Sequence, residues 1–110
     1  MQNNLENFLK ISGAINDESR VLILAFLKQN GELCVCDLQK SLGMIQSRLS
    51  RHLKILKDAG FLSLQRKGVW AYYKIQEKPH KTCQDLLDSI EALKLKLPPL
   101  KTITCTKDKK

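Results

Sequence analysis

The sequence predicts an α+β fold that is mainly helical, with five helices and a two-stranded β-hairpin between the fourth and the fifth. Three observations support this fold class. Apolar residues recur at helical spacing in five stretches, and glycines follow several of them. β-branched and aromatic residues flank Arg66-Lys67-Gly68, as in a hairpin with a basic tip. A chain of 110 residues has room for one domain with one core.

The first three helices follow from apolar spacing and from end signals. The first spans about residues 3–15 and has one stripe that we expect to be buried, Leu5, Phe8, Leu9 and Ile15. The second runs from Glu18 to about Gln29, with Asp17 as its N-cap and Asn30-Gly31 as its end. The third runs from Cys34 to Leu42, and Gly43 closes it in a left-handed cap.

The fourth helix and the hairpin together predict a winged helix-turn-helix. The helix runs from about Gln46 to Ala59 and sets the stripe Leu49, Leu53 and Leu56 against a polar, basic face. A short helix, a tight turn and a second helix with a basic outer face are typical of a helix-turn-helix, whose second helix enters the major groove of DNA. The hairpin after Gly60 would be the wing.

The last helix runs from about His80 to Leu97 and is ended by Pro98-Pro99. We expect a winged-helix domain over residues 1–97 and a flexible basic tail over residues 98–110. A domain of this size has little core for two amphipathic terminal helices, so these helices are expected to pair with a second subunit. The prediction is a symmetric homodimer.

The charge distribution indicates a polyanionic partner. The chain has 19 basic and 11 acidic residues, a net charge of +8, and residues 46–74 alone hold seven basic residues against one acidic residue. The longest apolar run, Val21 to Leu27, is too short to span a membrane, and no targeting segment is visible at the N-terminus. We therefore expect a cytoplasmic protein whose partner is nucleic acid and not a membrane.

Two cysteines stand at the predicted start of the third helix, Cys34 and Cys36. Side chains at positions i and i+2 point to different sides of a helix, so we expect one thiol to be exposed. The helix N-terminus stabilises a thiolate there, which raises its affinity for soft metals and metalloids. The alternative is that one thiol is core filler and the other incidental.

Three segments, ELCVCDL, SRHLKILKDAGFL and RKGVWAYYKI, resemble the ArsR/SmtB family of metal-sensing winged-helix repressors, and in particular its arsenical-resistance branch. The resemblance covers roughly residues 15–97. It implies a homodimer that binds an inverted-repeat operator in double-stranded DNA and represses its own resistance operon. It also implies that arsenite or antimonite is the inducer, binds the thiol box and releases the DNA. No catalytic cofactor and no enzyme activity are expected.

The thiol box departs from the family pattern in one respect. The best-known arsenical boxes have a third cysteine three residues after the second, where this chain has Gln39. Since trivalent arsenic prefers three thiolates, the third ligand would be Cys105, Cys83, a small-molecule thiol or none, and Cys105 is the first candidate. If one metalloid binds both thiols of the box, their side chains must converge, which predicts that the ligand distorts the first turn of the third helix.

The family's other common site is a zinc site on the last helix. This helix offers His80, Asp85, Asp88 and Glu91, without an Asp-x-His pair. Zinc is therefore not expected there, and His80 is interpreted as a surface or capping residue.

The motif also predicts which residues contact DNA. Base edges would be met by Gln46, Ser47, Ser50 and Arg51, of which Arg51 is the candidate for a guanine contact. Phosphates would be met by Arg48, Lys54, Lys57, Arg66 and Lys67. His52 is included because the family places this position close to the DNA backbone. Its alternative interpretation is a partly buried helix residue.

Three other functions remain open at this point. The same fold could sense cadmium, lead or zinc, or the oxidation of its thiols. A thiol-disulfide enzyme would use the same Cys-x-Cys pair, but the thioredoxin-like βαβ pattern is absent from the sequence. A constitutive architectural DNA-binding protein would need no function for the thiols.

Overall fold

A computed structural model of the chain describes residues 2–102. The elements in chain order are α1 (Gln2–Ala14), α2 (Glu18–Asn30), β1 (Leu33–Cys34), α3 (Val35–Leu42), α4 (Gln46–Asp58), β2 (Leu62–Lys67), β3 (Trp70–Ile75) and α5 (Lys81–Ala92). Helices α2, α3 and α4 contact a small antiparallel sheet of order β1-β3-β2. Within residues 2–102, no helix has the length and apolar character needed to cross a membrane.

The sheet contains one strand more than the sequence predicts. The hairpin is present, with β2 and β3 paired from Leu62 opposite Ile75 to Lys67 opposite Trp70. The additional strand β1 pairs with β3 and places Cys34 opposite Tyr72. Two residues are too few to show the alternation by which a strand is recognised in a sequence, so this pairing is visible only in the folded chain.

The core lies between α2, α4 and the sheet. The predicted stripe of α4 is confirmed, since Leu49, Leu53 and Leu56 are fully buried. Asp17 is the predicted N-cap of α2, and its carboxylate accepts a hydrogen bond from the backbone N–H of Arg20 at 3.1 Å. That hydrogen bond lowers the pKa of Asp17 below its usual value.

The predicted stripe of α1 is only partly correct. Leu5, Phe8 and Leu9 are more than half exposed in the protomer, whereas Ile11 and Ala14 are buried. The physical reason is that the face of α1 that packs on the protomer, next to α5, runs through Ile11 and Ala14 and not through Leu5, Phe8 and Leu9.

The chain after α5 differs from the prediction. The helix ends at Ala92 rather than Leu97, and Lys94 adopts a left-handed φ of 51° that breaks the helix. Leu97 still packs at the edge of the core. Further on, the Ser41 hydroxyl accepts from the Lys101 N–H at 2.7 Å and donates to the Lys101 carbonyl at 3.0 Å. The first part of the predicted tail is therefore attached to α3.

Replacement of Gly43 by alanine should lower the free energy of unfolding by about 1 kcal/mol, because a side chain at left-handed φ costs that much. Gly43 closes α3 at φ 69°, and its N–H donates to the Gln39 carbonyl at 2.9 Å. A Cβ there would meet no atom within 4 Å, so the backbone alone carries the cost. Urea unfolding followed by the fluorescence of Trp70, the only tryptophan, measures it.

The matched control is Gly13→Ala, which also places a Cβ in open space but within helix α1. This variant should be more stable than wild type by up to about 1 kcal/mol, because alanine is the better helix former. Equal stability of Gly43→Ala and wild type would contradict the assignment of a strained cap.

Candidate functional site

The exposed face of α4 presents most of the residues predicted to contact DNA. The helix begins at Gln46, as expected, directly after Ile45 in an extended conformation. The side chains that point to solvent are Gln46, Ser47, Arg48, Ser50, Arg51, Lys54 and Lys57. Lys54 also donates to Asp58 at 3.0 Å, and this hydrogen bond holds the pKa of the Asp58 carboxyl below its usual value.

The wing adds two further cations to the same surface. Arg66 and Lys67 are exposed at the end of β2. The Lys67 ammonium lies 3.2 Å from the Glu32 carboxylate and 4.6 Å from the centre of the Tyr72 ring. Glu32 directly precedes β1, so this ion pair and the β1–β3 pairing both link the wing to the segment that carries the thiols.

His52 is placed differently from the other predicted contacts. Its side chain is 8% exposed and lies on the inner side of α4, where Nδ1 is 3.1 Å from Nη1 of Arg20 in α2. The prediction that His52 contacts DNA is therefore wrong for this conformation, because the ring has almost no surface to offer. The alternative interpretation, a buried helix position, is the observed one.

Cys34 and Cys36 lie side by side, and a disulfide joins their sulfurs. Cys34 is the N-cap of α3 rather than its first helical residue, with φ −70° and ψ 150°. Its sulfur accepts from the backbone N–H of Cys36 at 3.2 Å, and the two Cα atoms are 5.2 Å apart. Cys34 is buried and Cys36 is half-buried.

This geometry corrects two expectations about the thiol box. Neither thiol is fully exposed, because Cys34 is covered by its pairing with β3. The two side chains also converge without any distortion of α3. Cys34 is an N-cap residue in an extended conformation, so the helical geometry that points side chains i and i+2 to different sides does not apply to it. Unwinding of the first turn of α3 is therefore not needed for one ligand to reach both sulfurs.

The thiol pair opens onto a groove of about 690 Å³ between α3, α4 and the wing. Besides the two cysteines, the residues that line it include Gln39, Ser50, Lys54, Lys57, Arg66 and Trp70. The groove therefore joins the thiols to the basic surface. Gln39, at the position of the family's third cysteine, contributes an amide, which is not a soft-metal ligand.

The other candidate ligands are not near the pair or lie outside the described residues. Cys83 is fully buried on α5, its thiol lies 3.6 Å from the Ala59 carbonyl, and burial raises its pKa. Its burial is typical of a structural thiol. Cys105 lies beyond residue 102. Among residues 2–102, no three histidine, cysteine or carboxylate side chains are grouped closely enough to hold a metal ion.

The last helix places its polar residues in local contacts. His80 is confirmed as a capping residue, because its Nδ1 accepts from the backbone N–H of Thr82 at 3.1 Å. Asp85 pairs with Lys81 at 3.0 Å, and Asp88 accepts from Gln84 at 2.9 Å.

Sequence reasoning missed three residues of the site, Arg20, Glu32 and Ser41. Each acts through a partner 32 to 60 residues away in the chain. The available signal was weak: an arginine within the apolar pattern of α2 suggests a buried partner for its charge, but does not identify it.

Comparison with known proteins agrees with this geometry. Residues 17–63 match the family described as bacterial regulatory proteins of the arsR family. The arsenical resistance operon repressor of Bacillus subtilis is 43% identical over 65 residues, which are 59% of this chain and 62% of that protein. The uncharacterized HTH-type transcriptional regulator MJ1325 of Methanocaldococcus jannaschii is 35% identical over 85 residues, 77% of this chain and 96% of the relative.

Solved structures give the same result. The homodimeric winged helix-turn-helix DNA-binding domain of Mb0332 from Mycobacterium bovis superposes with a TM-score of 0.71 at 25% identity, and the match covers 84% of this chain and 82% of that one. The chain spans less than two thirds of the Bacillus subtilis repressor. The near-complete match to MJ1325, the family match and the shared fold show that the chain belongs to the ArsR family of bacterial regulatory proteins, which are winged-helix DNA-binding transcription regulators and not enzymes.

Proposed function

We propose that this protein is a repressor that binds its operator as a homodimer and leaves it when trivalent arsenic or antimony binds Cys34 and Cys36. The observation that carries the proposal is the convergence of the two sulfurs beside the groove that leads to α4 and the wing. Two adjacent thiolates are ligands that soft metalloids prefer. The arsenical resistance repressor of Bacillus subtilis, named above, supports the same inducer class.

The homodimer is supported by the apolar residues that the protomer leaves exposed. Leu5, Phe8 and Leu9 on α1 and Leu93 after α5 are each more than half exposed. Exposed large apolar side chains on the two terminal helical segments are typical of an interaction surface. A twofold dimer through α1 and α5 would bury them and set two copies of α4 for two half-sites of an inverted repeat. That the similar Mb0332 domain is homodimeric supports a dimer for this chain as well.

DNA release would pass from the thiols to the wing through β1. Cys34 pairs with Tyr72 of β3, and Glu32 is bonded to Lys67 at 3.2 Å, so any change in the position of Cys34 pulls on the strand that carries the wing. A metalloid held between the sulfurs sets a new spacing of Cys34 and Cys36. If the protein binds the metalloid more tightly in the resulting wing position than in the wing position it has on DNA, the metalloid shifts the population toward protein that is free of DNA.

Cys105 is proposed as the third sulfur ligand. Lys101 is held at Ser41, near the C-terminal end of α3, and Cys36 lies about 7.5 Å away along the axis of the same helix. Cys105 is four positions after Lys101, and an extended chain of that length spans up to about 14 Å. The chain is therefore long enough for Cys105 to reach the thiol pair of its own protomer.

Sensing of thiol oxidation is the second candidate, and the disulfide between Cys34 and Cys36 favours it. In that case the two thiols lose two electrons and two protons to an oxidant, one S–S bond forms, and the same β1–β3 contact would transmit the change. A fully reduced protein would then bind DNA and ignore arsenite.

The test is fluorescence anisotropy of a labelled duplex from the promoter region of the protein's own gene. The protein is kept reduced with a phosphine, so that no solution thiol can supply the third sulfur. Arsenite, antimonite, cadmium, lead and zinc are titrated in turn, and hydrogen peroxide is added in a separate arm without reductant. Trp70, which lines the groove beside the thiols, reports ligand binding independently.

We expect arsenite and antimonite to release the DNA. Cys105→Ser should raise the arsenite concentration for half release about tenfold or more, since a tethered third ligand acts at high effective concentration. Ser41→Ala should act in the same direction and more weakly, whereas Ser89→Ala, an exposed serine on α5, should have no effect.

Four results would contradict these proposals. If cadmium, lead or zinc alone releases the DNA, the inducer is one of these metals and not arsenite or antimonite. If peroxide alone releases the DNA, the protein is a sensor of thiol oxidation. DNA binding that no ligand disturbs would leave a constitutive DNA-binding protein. An unchanged response of Cys105→Ser would exclude the tail as third ligand.

A further inference from the structure

A partly buried hydrogen bond links the recognition helix to the start of α2. Nη1 of Arg20 lies 3.1 Å from Nδ1 of His52, in the middle of α4. Nε of the same Arg20 donates to the Ala14 carbonyl at 2.6 Å, at the end of α1. The guanidinium therefore holds three elements together, and His52 is the only member of this group that belongs to the DNA-contacting helix.

The contact requires one protonation state of His52. A guanidinium keeps its proton at any physiological pH and only donates, so Nδ1 of His52 must accept, and the ring must be neutral with its proton on Nε2. Nε2 is buried and has no hydrogen-bond partner among the described residues. A second proton on the ring would place an N–H against the Arg20 N–H and add a buried positive charge.

Most of the charged groups around His52 disfavour protonation of its ring. Arg20 faces it from α2, and Arg48 and Arg51 lie close on α4 itself, while Asp17 at the N-terminus of α2 opposes them. Burial is the largest influence and, together with the three arginines, lowers the pKa of His52 below 6.5 in spite of Asp17.

We propose that neutral His52, accepting from Arg20, is a positioning residue for DNA binding that keeps α4 seated on α2, and that its protonation weakens DNA binding in acid. The proposal concerns the apo repressor and does not depend on the inducer. Since Arg48 and Arg51 lie on the same helix face as the expected DNA contacts, a shift of α4 would move them from their phosphate and base partners.

The sign of the pH effect is opposite to the usual one for DNA-binding proteins. Protonation of a surface histidine adds a positive charge and strengthens phosphate contacts. Protonation of His52 removes a hydrogen bond to a charged group, which corresponds to about a tenfold loss of affinity. The hydrogen bond is present while the ring is neutral, so DNA affinity should be highest near neutral pH and should fall as the pH drops through the lowered pKa of His52 in the folded protein.

The experiment measures the dissociation constant of reduced, metal-free protein for the labelled promoter duplex from about pH 8 to about pH 5, at constant ionic strength. Wild type should lose affinity as the pH falls, by about tenfold when the ring is fully protonated. His52→Asn keeps an acceptor near the position of Nδ1 and cannot be protonated, so its affinity should be independent of pH or rise slightly in acid.

The matched control is His80→Gln, which removes the only other histidine, the exposed N-cap of α5. This variant should keep the pH profile of wild type. If the dissociation constant of His52→Asn changes with pH in the same way as that of wild type, the proposal is wrong.

A second measurement keeps the proposal testable if His52→Asn folds poorly. Nitrogen-15 NMR of the wild-type imidazoles at neutral pH should show His52 neutral, with its proton on Nε2, and a pH titration should show that its pKa is lowered from the usual histidine value of about 6.5. Protonation of Nδ1 at neutral pH, or a normal titration of His52, would contradict it.

Discussion

Serine in place of Cys34 or of Cys36 should leave DNA binding unchanged and abolish the release of DNA by arsenite. Both variants are expected to fold, because serine is a good N-cap residue at position 34 and Cys36 is only half-buried. Loss of one of two adjacent ligands removes the chelate advantage, so the arsenite concentration for half release should rise by about 100-fold or more. Anisotropy of the labelled promoter duplex measures both quantities in one titration.

Cys83→Ser is the matched control, since it removes a thiol from the core and leaves the pair intact. Its serine hydroxyl can still donate to the Ala59 carbonyl, as the thiol does. This variant should respond to arsenite as wild type does. Normal release from Cys36→Ser would exclude the thiol pair as the sensor, and loss of response in Cys83→Ser alone would move the sensor to α5.

Alanine in place of Arg51 should weaken binding to the promoter duplex by about 10- to 100-fold, the cost of one lost bidentate base contact. Arg51 is exposed on the first half of α4, the part of a recognition helix that meets base edges. Binding to a scrambled duplex should fall much less, because only a charge is lost there. The ratio of the two affinities is the measured quantity.

Two controls separate base reading from charge. Lys57→Ala removes a cation from the same helix and should weaken both duplexes equally, with a smaller slope of affinity against salt. Lys81→Ala removes a cation from α5, where it is paired with Asp85, and should change neither affinity. If Arg51→Ala lowers the affinity for both duplexes equally, Arg51 contacts a phosphate and not a base.

The site illustrates which contacts a sequence can reveal. The wing and the recognition helix were predicted with nearly correct bounds, because alternation and helical spacing are local patterns. The end of α5 was predicted five residues too late, since Leu95 and Leu97 continue an apolar pattern although they pack from a chain that is no longer helical. Periodicity identifies buried residues and does not by itself identify their backbone conformation.

The thiol pair and His52 required the folded chain for a different reason. A rule for helical side chains predicted that Cys34 and Cys36 diverge, but β3 holds Cys34 in an extended conformation. His52 was predicted at the DNA surface, but its neighbour Arg20 is 32 residues away. In both cases a partner distant in the sequence sets the side chain's environment.

The sequence by itself determined the class of the protein: a basic winged-helix domain with two closely spaced cysteines at the start of its helix-turn-helix. These features depend on spacing, composition and charge within segments of a few to about fifteen residues. Only the tertiary structure decided that the two sulfurs converge without unwinding α3, that β1 ties them to the wing, that Ser41 holds the chain leading to Cys105, and that His52 is buried. Each of these depends on contacts between residues distant in the chain, which form when the elements pack and leave no periodic trace in the sequence.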